Sequence, residues 1–145
     1  MTRHFGDDWL LPALDAANES WFTAGKITAQ SCDDCGAFQH PPEEVCGGCQ
    51  SSNLSFKDCS GAGTVESVAV VHHPVHPGLS DHCPYAIVVV SIDDAPGVNA
   101  IGNVLNHPPQ EIAIGQRVRA VFEEVRDPDT GDMLRIPQWE IAVEG

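Results

Sequence analysis

Short runs of alternating apolar and polar residues, separated by Gly, Pro and Asp, fill the chain from residue 58 onward, a pattern typical of strands joined by turns. Five runs are predicted as strands: Gly63–His72, Tyr85–Asp93, Val98–Leu105, Gln116–Val125 and Leu134–Val143. The second run is apolar almost throughout, so we expect that strand to be buried on both faces. Five strands without a strong helix between them favour a small closed barrel, and we predict an OB-fold.

The region before residue 26 has a different period. Four apolar residues share one face of a helix: Leu10, Leu14, Ala17 and Trp21. Pro12 suits a first helical turn, and Gly25 is a plausible C-terminal stop. The pattern favours a helix that packs on the core. Contact with another protein is the second interpretation, because Trp9, Trp21 and Phe22 are many aromatic residues for one short helix.

These changes of pattern divide the chain into three parts. We predict an N-terminal helical segment at 1–25, a zinc ribbon at 26–57 and an OB-fold at 58–145. The predicted fold is therefore mainly β, with an N-terminal helix, a rubredoxin-like ribbon and a five-stranded C-terminal barrel.

The charge disfavours several classes of partner. The 145 residues carry a formal net charge of −14, which disfavours nucleic acid and anionic membranes because both require basic surfaces. No apolar run is long enough to span a bilayer, and the N-terminus does not resemble a secretory signal. We therefore expect a cytoplasmic protein, where cysteines stay reduced and serve as metal ligands more often than as disulfides.

Four cysteines have the spacing of a metal site. Cys32 and Cys35 form one C-x2-C pair, and Cys46 and Cys49 form a second pair after ten intervening residues. Each pair closes a tight turn with both sulfurs facing one point, and two such turns supply the four thiolates that structural zinc prefers. All four positions are then filled by protein, which predicts a structural Zn²⁺ rather than a catalytic one.

Other uses of the cysteines fit less well. A redox pair needs one C-x-x-C, iron–sulfur clusters use other spacings, and a single rubredoxin-like iron remains an alternative. Cys59 lies outside both pairs and suits a small buried side chain. Cys83 lies near several histidines, so a nucleophilic role is an alternative, although no motif for an oxyanion hole flanks it.

A histidine-rich loop separates the first two barrel strands. It contains His72, His73, His76 and His82, together with three prolines. A surface loop is the favoured interpretation, ahead of a second metal site or a contact with a ligand or partner.

Charged residues at the strands complete the candidates. Arg117 and Arg119 share one side of a strand, where ion pairing or exposure is favoured over phosphate binding. The acidic pairs Asp93-Asp94 and Glu123-Glu124 are expected to be solvated residues at strand ends. No common catalytic motif is present in the sequence.

The order of motifs resembles one family closely, over about residues 19–125. The motifs are Glu19-Ser20-Trp21-Phe22, the two cysteine pairs, Ser60-Gly61-Ala62-Gly63-Thr64-Val65, Pro84-Tyr85 before the apolar strand, and Ile114-Gly115-Gln116-Arg117-Val118. The family is the acyl-CoA-associated zinc-ribbon/OB-fold proteins, also known as domain-of-unknown-function family thirty-five.

The resemblance implies an accessory role. Members resemble small partners of thiolase-fold enzymes: thiolases, synthase relatives and lipid-transfer-protein-type aldolases, for instance in steroid side-chain degradation. It implies a heterotetramer whose larger subunit supplies the catalytic residues and most of the acyl-CoA site, so this chain is not expected to be catalytic alone. The family's zinc ligands carry over onto the four cysteines. The alternative is a nucleic-acid-binding ribbon/OB protein, which the net charge disfavours.

Overall fold

The computed structural model describes residues 10–143, so Trp9 and the N-terminal sequence before it lie outside the described residues. The described part contains one α-helix and eight strands. These are α1 (Glu19–Thr23), β1 (Thr28–Cys32), β2 (Phe38–Gln39), β3 (Leu54–Asp58), β4 (Ala62–Val71), β5 (Tyr85–Ile92), β6 (Asn99–Asn103), β7 (Arg117–Arg126) and β8 (Met133–Ile141).

The last five strands form the predicted barrel. They lie in the order β6-β5-β4-β7-β8, all antiparallel, and each predicted strand is present with ends within two residues of the prediction. The sheet closes where Val104 bridges Trp139 in parallel and the Leu105 N–H donates to the Trp139 carbonyl at 2.8 Å. Trp139 is fully buried inside the barrel. These contacts confirm the OB-fold.

The first three strands form a small separate sheet in the order β2-β1-β3. Every residue of β1 is buried, and Ile27 and Ala29 belong to the same apolar cluster as Val88 and Val90 of the barrel. The ribbon and the barrel therefore share one hydrophobic core, which positions the cysteines rigidly relative to the barrel.

The predicted N-terminal helix is much shorter than expected. The Asp15 side chain accepts hydrogen bonds from the N–H groups of Ala17 and Asn18, at 2.9 and 2.8 Å, so the chain first turns at Asp15 and not near Pro12. Among residues 10–25, only Glu19–Thr23 is α-helical, and the helix ends before Gly25, whose φ of +70° suits the predicted stop.

Part of the predicted face still packs on the core, since Leu14 and Trp21 contact apolar clusters, whereas Ala17 is exposed. Leu11, Leu14 and Phe22 cover a second apolar cluster at the far end of β7 and β8, whereas Leu10 is exposed.

The prediction for β5 was wrong on one point. Its inward residues Ala86, Val88, Val90 and Ile92 are at most 4% exposed, but the outward residue Ile87 is 36% exposed and Val89 is only partly buried. The barrel is a single curved sheet with one inner side, so the outward residues of this apolar strand are less covered than its inward ones.

Candidate metal centre

Two matching turns carry the four cysteines. In the first, the Gly36 N–H donates to the Cys32 carbonyl at 2.9 Å, and in the second the Gln50 N–H donates to the Cys46 carbonyl at the same distance. The residue after each pair has a positive φ, +77° at Gly36 and +63° at Gln50. Glycine takes this conformation readily, and the turn forces it on Gln50.

The four sulfurs meet at one point. All four Sγ atoms lie within 4.8 Å of one another, and the Cys32–Cys49 and Cys35–Cys46 sulfur separations are both 3.6 Å. A tetrahedron with metal–sulfur bonds of about 2.3 Å has sulfur–sulfur edges of about 3.8 Å. A disulfide needs about 2.05 Å, and all four cysteines are free. The sulfurs therefore fit a tetrahedral thiolate-binding metal.

The electrostatics of the sulfurs also fit a cation. Backbone N–H groups of Cys49 and Gly48 lower the pKa of the Cys46 thiol to about 6. The pKa of Cys49 is instead raised to about 12: the Ser51 N–H acts to lower it, but the Cys32 thiol beside it and burial outweigh that effect. Four adjacent thiols cannot all ionise alone, and a bound cation removes that repulsion.

A network of side-chain amides, of which Gln30 is buried, holds the second turn in place. The Gln30 amide nitrogen donates to the Glu43 carbonyl at 2.9 Å, and Gln39 donates to the Gln30 side-chain oxygen at 2.7 Å. Gln39 also accepts from the Gly47 N–H, beside Cys46, at 2.9 Å. Neither glutamine was among the predicted site residues, because a single glutamine in a short strand carries no recognisable signal for a metal site.

An acidic side chain links the two turns. Asp34 lies between the first two cysteines, and its carboxylate accepts hydrogen bonds from the hydroxyl of Ser51 and, at 3.0 Å, from the Asn53 amide. Both donors lower the pKa of Asp34, and the hydrogen bond from Ser51 has the larger effect. The link holds the loop after Cys49 against the first turn.

The histidine-rich loop is ordered as a 3-10 turn, Pro77–His82. The His76 side chain caps this turn by accepting from the Gly78 N–H at 3.0 Å. Within residues 10–143, the four cysteines form the one group of three or more His, Cys, Asp or Glu side chains with metal-binding geometry. The loop histidines are therefore not gathered into a second metal site of that kind.

The remaining two cysteines lie apart from the metal centre. Cys59 is partly buried, against the main apolar cluster, and burial raises the pKa of its thiol, as suits a packing residue. Cys83 is also partly buried, and it precedes the cis peptide bond to Pro84.

The candidate arginines Arg117 and Arg119 are ion-paired, as favoured. Arg117 makes a bidentate ion pair with Asp93, in which Nη1 donates to Oδ1 at 2.7 Å. This contact lowers the pKa of the Asp93 carboxyl group. Arg119 pairs with Glu140 on β8.

The expectation for Glu123 was wrong. It lies within β7 and not at its end, and it is 1% exposed. Its side chain accepts from the buried Gln138 amide at 3.4 Å. It shares a face of the strand with Val125, the face that the N-terminal segment covers. Glu124 is solvated, as expected, and pairs with Arg135.

Family models match both parts of the chain. The "ChsH2, rubredoxin-like zinc ribbon domain" matches residues 23–55, and the "ChsH2, C-terminal OB-fold domain" matches residues 57–123. The first range contains all four cysteines.

Several curated proteins are similar. A DUF35 domain-containing scaffold protein of Methanocaldococcus jannaschii is 31% identical over 99 residues, which are 66% of this chain and 67% of that protein. A scaffold protein of the same description from Methanothermobacter thermautotrophicus is 28% identical, over 70% of this chain and 74% of that protein. The 3-oxo-4,17-pregnadiene-20-carboxyl-CoA hydratase alpha subunit of Mycobacterium tuberculosis is 33% identical over 63% of this chain, but the match spans only 28% of that protein.

Two solved structures share the fold. A chain of the Ltp2-ChsH2(DUF35) aldolase is 29% identical, with a TM-score of 0.73, and the match covers 92% of this chain and 100% of that one. A DUF35 protein of unknown function from Sulfolobus solfataricus is 16% identical with a TM-score of 0.55, which shows the fold alone. Among the described residues, no helix has the length and apolar character needed to cross a membrane.

Proposed function

The chain belongs to the ChsH2/DUF35 family of zinc-ribbon and OB-fold proteins, and from this we propose that it is an accessory subunit of a thiolase-fold enzyme that acts on acyl-CoA. In this role the larger subunit carries the catalytic residues. The small subunit stabilises its partner and helps to shape the acyl-CoA site. We propose that the partner is a lipid-transfer-protein-type aldolase, with a thiolase as the alternative partner. The two proteins together form a heterotetramer.

One observation carries the proposal. The similarity to a chain of the Ltp2-ChsH2(DUF35) aldolase extends over 92% of this chain and the whole of that one, so the two correspond in both domains. The name of that enzyme joins two components, which supports a role for this chain as one part of an assembly. The description of two archaeal relatives as scaffold proteins supports the same role.

The acyl-CoA substrate class has separate support. A relative that shares 33% identity over 92 residues is a subunit of a hydratase named for a steroid-derived carboxyl-CoA. We propose that this chain likewise serves an enzyme of lipid or steroid degradation.

We propose that the four cysteines bind zinc in a structural role. The sulfur separations of 3.6 Å and the four-thiolate donor set support zinc, and four protein ligands leave no position for substrate. The ribbon has only a small three-stranded sheet, so the metal would supply stability that its packing against the barrel does not. Free thiolates also need a reducing compartment, which supports a cytoplasmic location.

The barrel surface argues against the nucleic-acid alternative. OB-folds bind oligonucleotides across the face of their second and third strands, which are β5 and β6 here. These strands contain no Lys or Arg, and Tyr85 at the start of β5 is 8% exposed. Binding of single strands relies on cations and exposed aromatic rings, and this face offers neither.

The test is affinity capture of the tagged chain from its native host grown on varied lipid substrates, with partners identified by mass spectrometry. A thiolase-fold protein at near equal stoichiometry is expected, and the reconstituted pair should process acyl-CoA where this chain alone does not. Activity of the purified chain alone on acyl-CoA, or consistent failure to recover a thiolase-fold protein, would contradict the proposal. A fluorescence-anisotropy titration with single-stranded DNA at low salt checks the alternative.

A further inference from the structure

The outer face of the barrel carries an apolar patch that the fold does not explain. Residues directly opposite one another in a sheet share a face, and β5 pairs Val89 with Ile101 and Ile87 with Asn103. On its other side β5 pairs Val89 with Ser67 and Ile87 with Ala69. We call this set the outer patch; its members are Ser67, Ala69, Ile87, Val89, Ile101 and Asn103.

The two isoleucines of the patch are open to solvent, and Val89 is partly buried. Ile101 is 72% exposed and Ile87 is 36% exposed, although single exposed apolar residues are ordinary. Here Ala69, Ile87, Val89 and Ile101 form a continuous apolar surface across three strands. A β-bulge between Val65 and Ser67 lies at the edge of the patch, a feature found near functional sites in other sheets.

The patch is also free of charge in a strongly acidic chain. Residues 84–92 and 95–110 contain no Asp, Glu, Lys or Arg, although the chain has a net charge of −14. Glu66, at the bulge, is the acidic residue beside the patch on β4. Depletion of charge at an apolar centre distinguishes the cores of protein interfaces from ordinary surface.

We propose that the outer patch, centred on Ile101, is the surface on which this chain docks to its larger enzyme subunit. The surface of that subunit that meets the patch is uncharged and apolar. The occupant is a different protein and not a second copy. Two chains of net charge −14 repel each other, and the patch holds no cation to offset that repulsion. This inference rests on the proposed accessory function and adds the location of the interface.

The test compares two exposed isoleucines. Ile101→Glu introduces a charge into the patch, and Ile114→Glu is the matched control, because Ile114 is 69% exposed and lies outside the patch. Each full-length chain is purified, checked for its fold by circular dichroism and for zinc content, and titrated against the thiolase-fold subunit. We expect Ile101→Glu to bind at least about 30-fold more weakly, as for loss of an interface hot spot, and Ile114→Glu to bind like the wild type.

Hydrogen exchange of the wild-type complex gives an independent readout. Backbone amides of β5 and β6 should gain protection on binding. The inference is overturned if Ile101→Glu binds as tightly as the control while the wild type binds, in which case the accessory function stands. It is also overturned if the chain alone forms a dimer that Ile101→Glu disrupts. If no thiolase-fold subunit binds the wild type, the proposed function and this inference fail together.

Discussion

Replacement of Gly63 by alanine tests how closely β4 and β5 approach. A Cβ atom on Gly63 would lie 2.4 Å from Val90 Cγ1 and 2.7 Å from the Ser91 carbonyl oxygen, against 3.4–4.0 Å for ordinary contacts. The new methyl group must therefore push a neighbouring strand by about 1 Å at a fully buried position. Overpacking of this kind costs about 3 kcal/mol, the upper end of its usual range, because backbone as well as side chain must move.

Thermal unfolding measured by circular dichroism at saturating zinc gives the result directly. For a domain of this size we expect the midpoint to fall by about 10 °C. Gly47→Ala is the control, since its Cβ would lie 3.6 Å from Gln39 Oε1, an ordinary contact, and its midpoint should hardly change. Trimming the side-chain neighbour, in Gly63→Ala with Val90→Ala, should not restore stability, because the Ser91 carbonyl remains in the way. A Gly63→Ala protein as stable as the wild type would show that β4 and β5 can separate at this position without cost.

Three further predictions concern the metal, the pH and a buried amide. Cys46→Ser should lose the zinc, measured by atomic emission, and unfold the barrel together with the ribbon, whereas Cys59→Ser should keep one zinc per chain. Burial lowers the pKa of His40 below its ordinary 6.5, so the folded chain binds fewer protons than the unfolded one. The wild type should therefore be most stable above about pH 6.5 and lose stability below it. Measured as the urea midpoint, this loss should be steeper in the wild type than in His40→Phe. Gln138→Leu removes the amide that donates to buried Glu123, and urea unfolding should show a loss of about 1–3 kcal/mol.

The cluster of four cysteines could be predicted from the local sequence because its geometry is local. Each C-x2-C pair closes its own turn, and Gly36 supplies the positive φ that the first turn requires. Joining the two turns required no more than a hairpin of ten residues. The supporting amides Gln30 and Gln39 could not be found in this way, because their value depends on which carbonyls the folded loop brings to them.

The N-terminal segment shows the opposite case. Its apolar spacing fits a helix, but Asp15 begins the first turn later than the spacing suggests, and Leu11 and Leu14 pack on the barrel from a non-helical stretch. Local spacing cannot reveal this outcome, since the surface that receives these residues is formed by β7 and β8, more than a hundred residues away.

Alternation and tight-turn spacing act over a few residues, so the sequence alone predicts the five barrel strands, the ribbon and the cluster of four cysteines. Tertiary structure decided which apolar residues are covered. Glu123 is buried because the N-terminal segment packs over its strand face, and Ile87 and Ile101 are open because the single barrel sheet has only one inner side. Burial depends on what packs against a face, and that information is distributed along the whole chain.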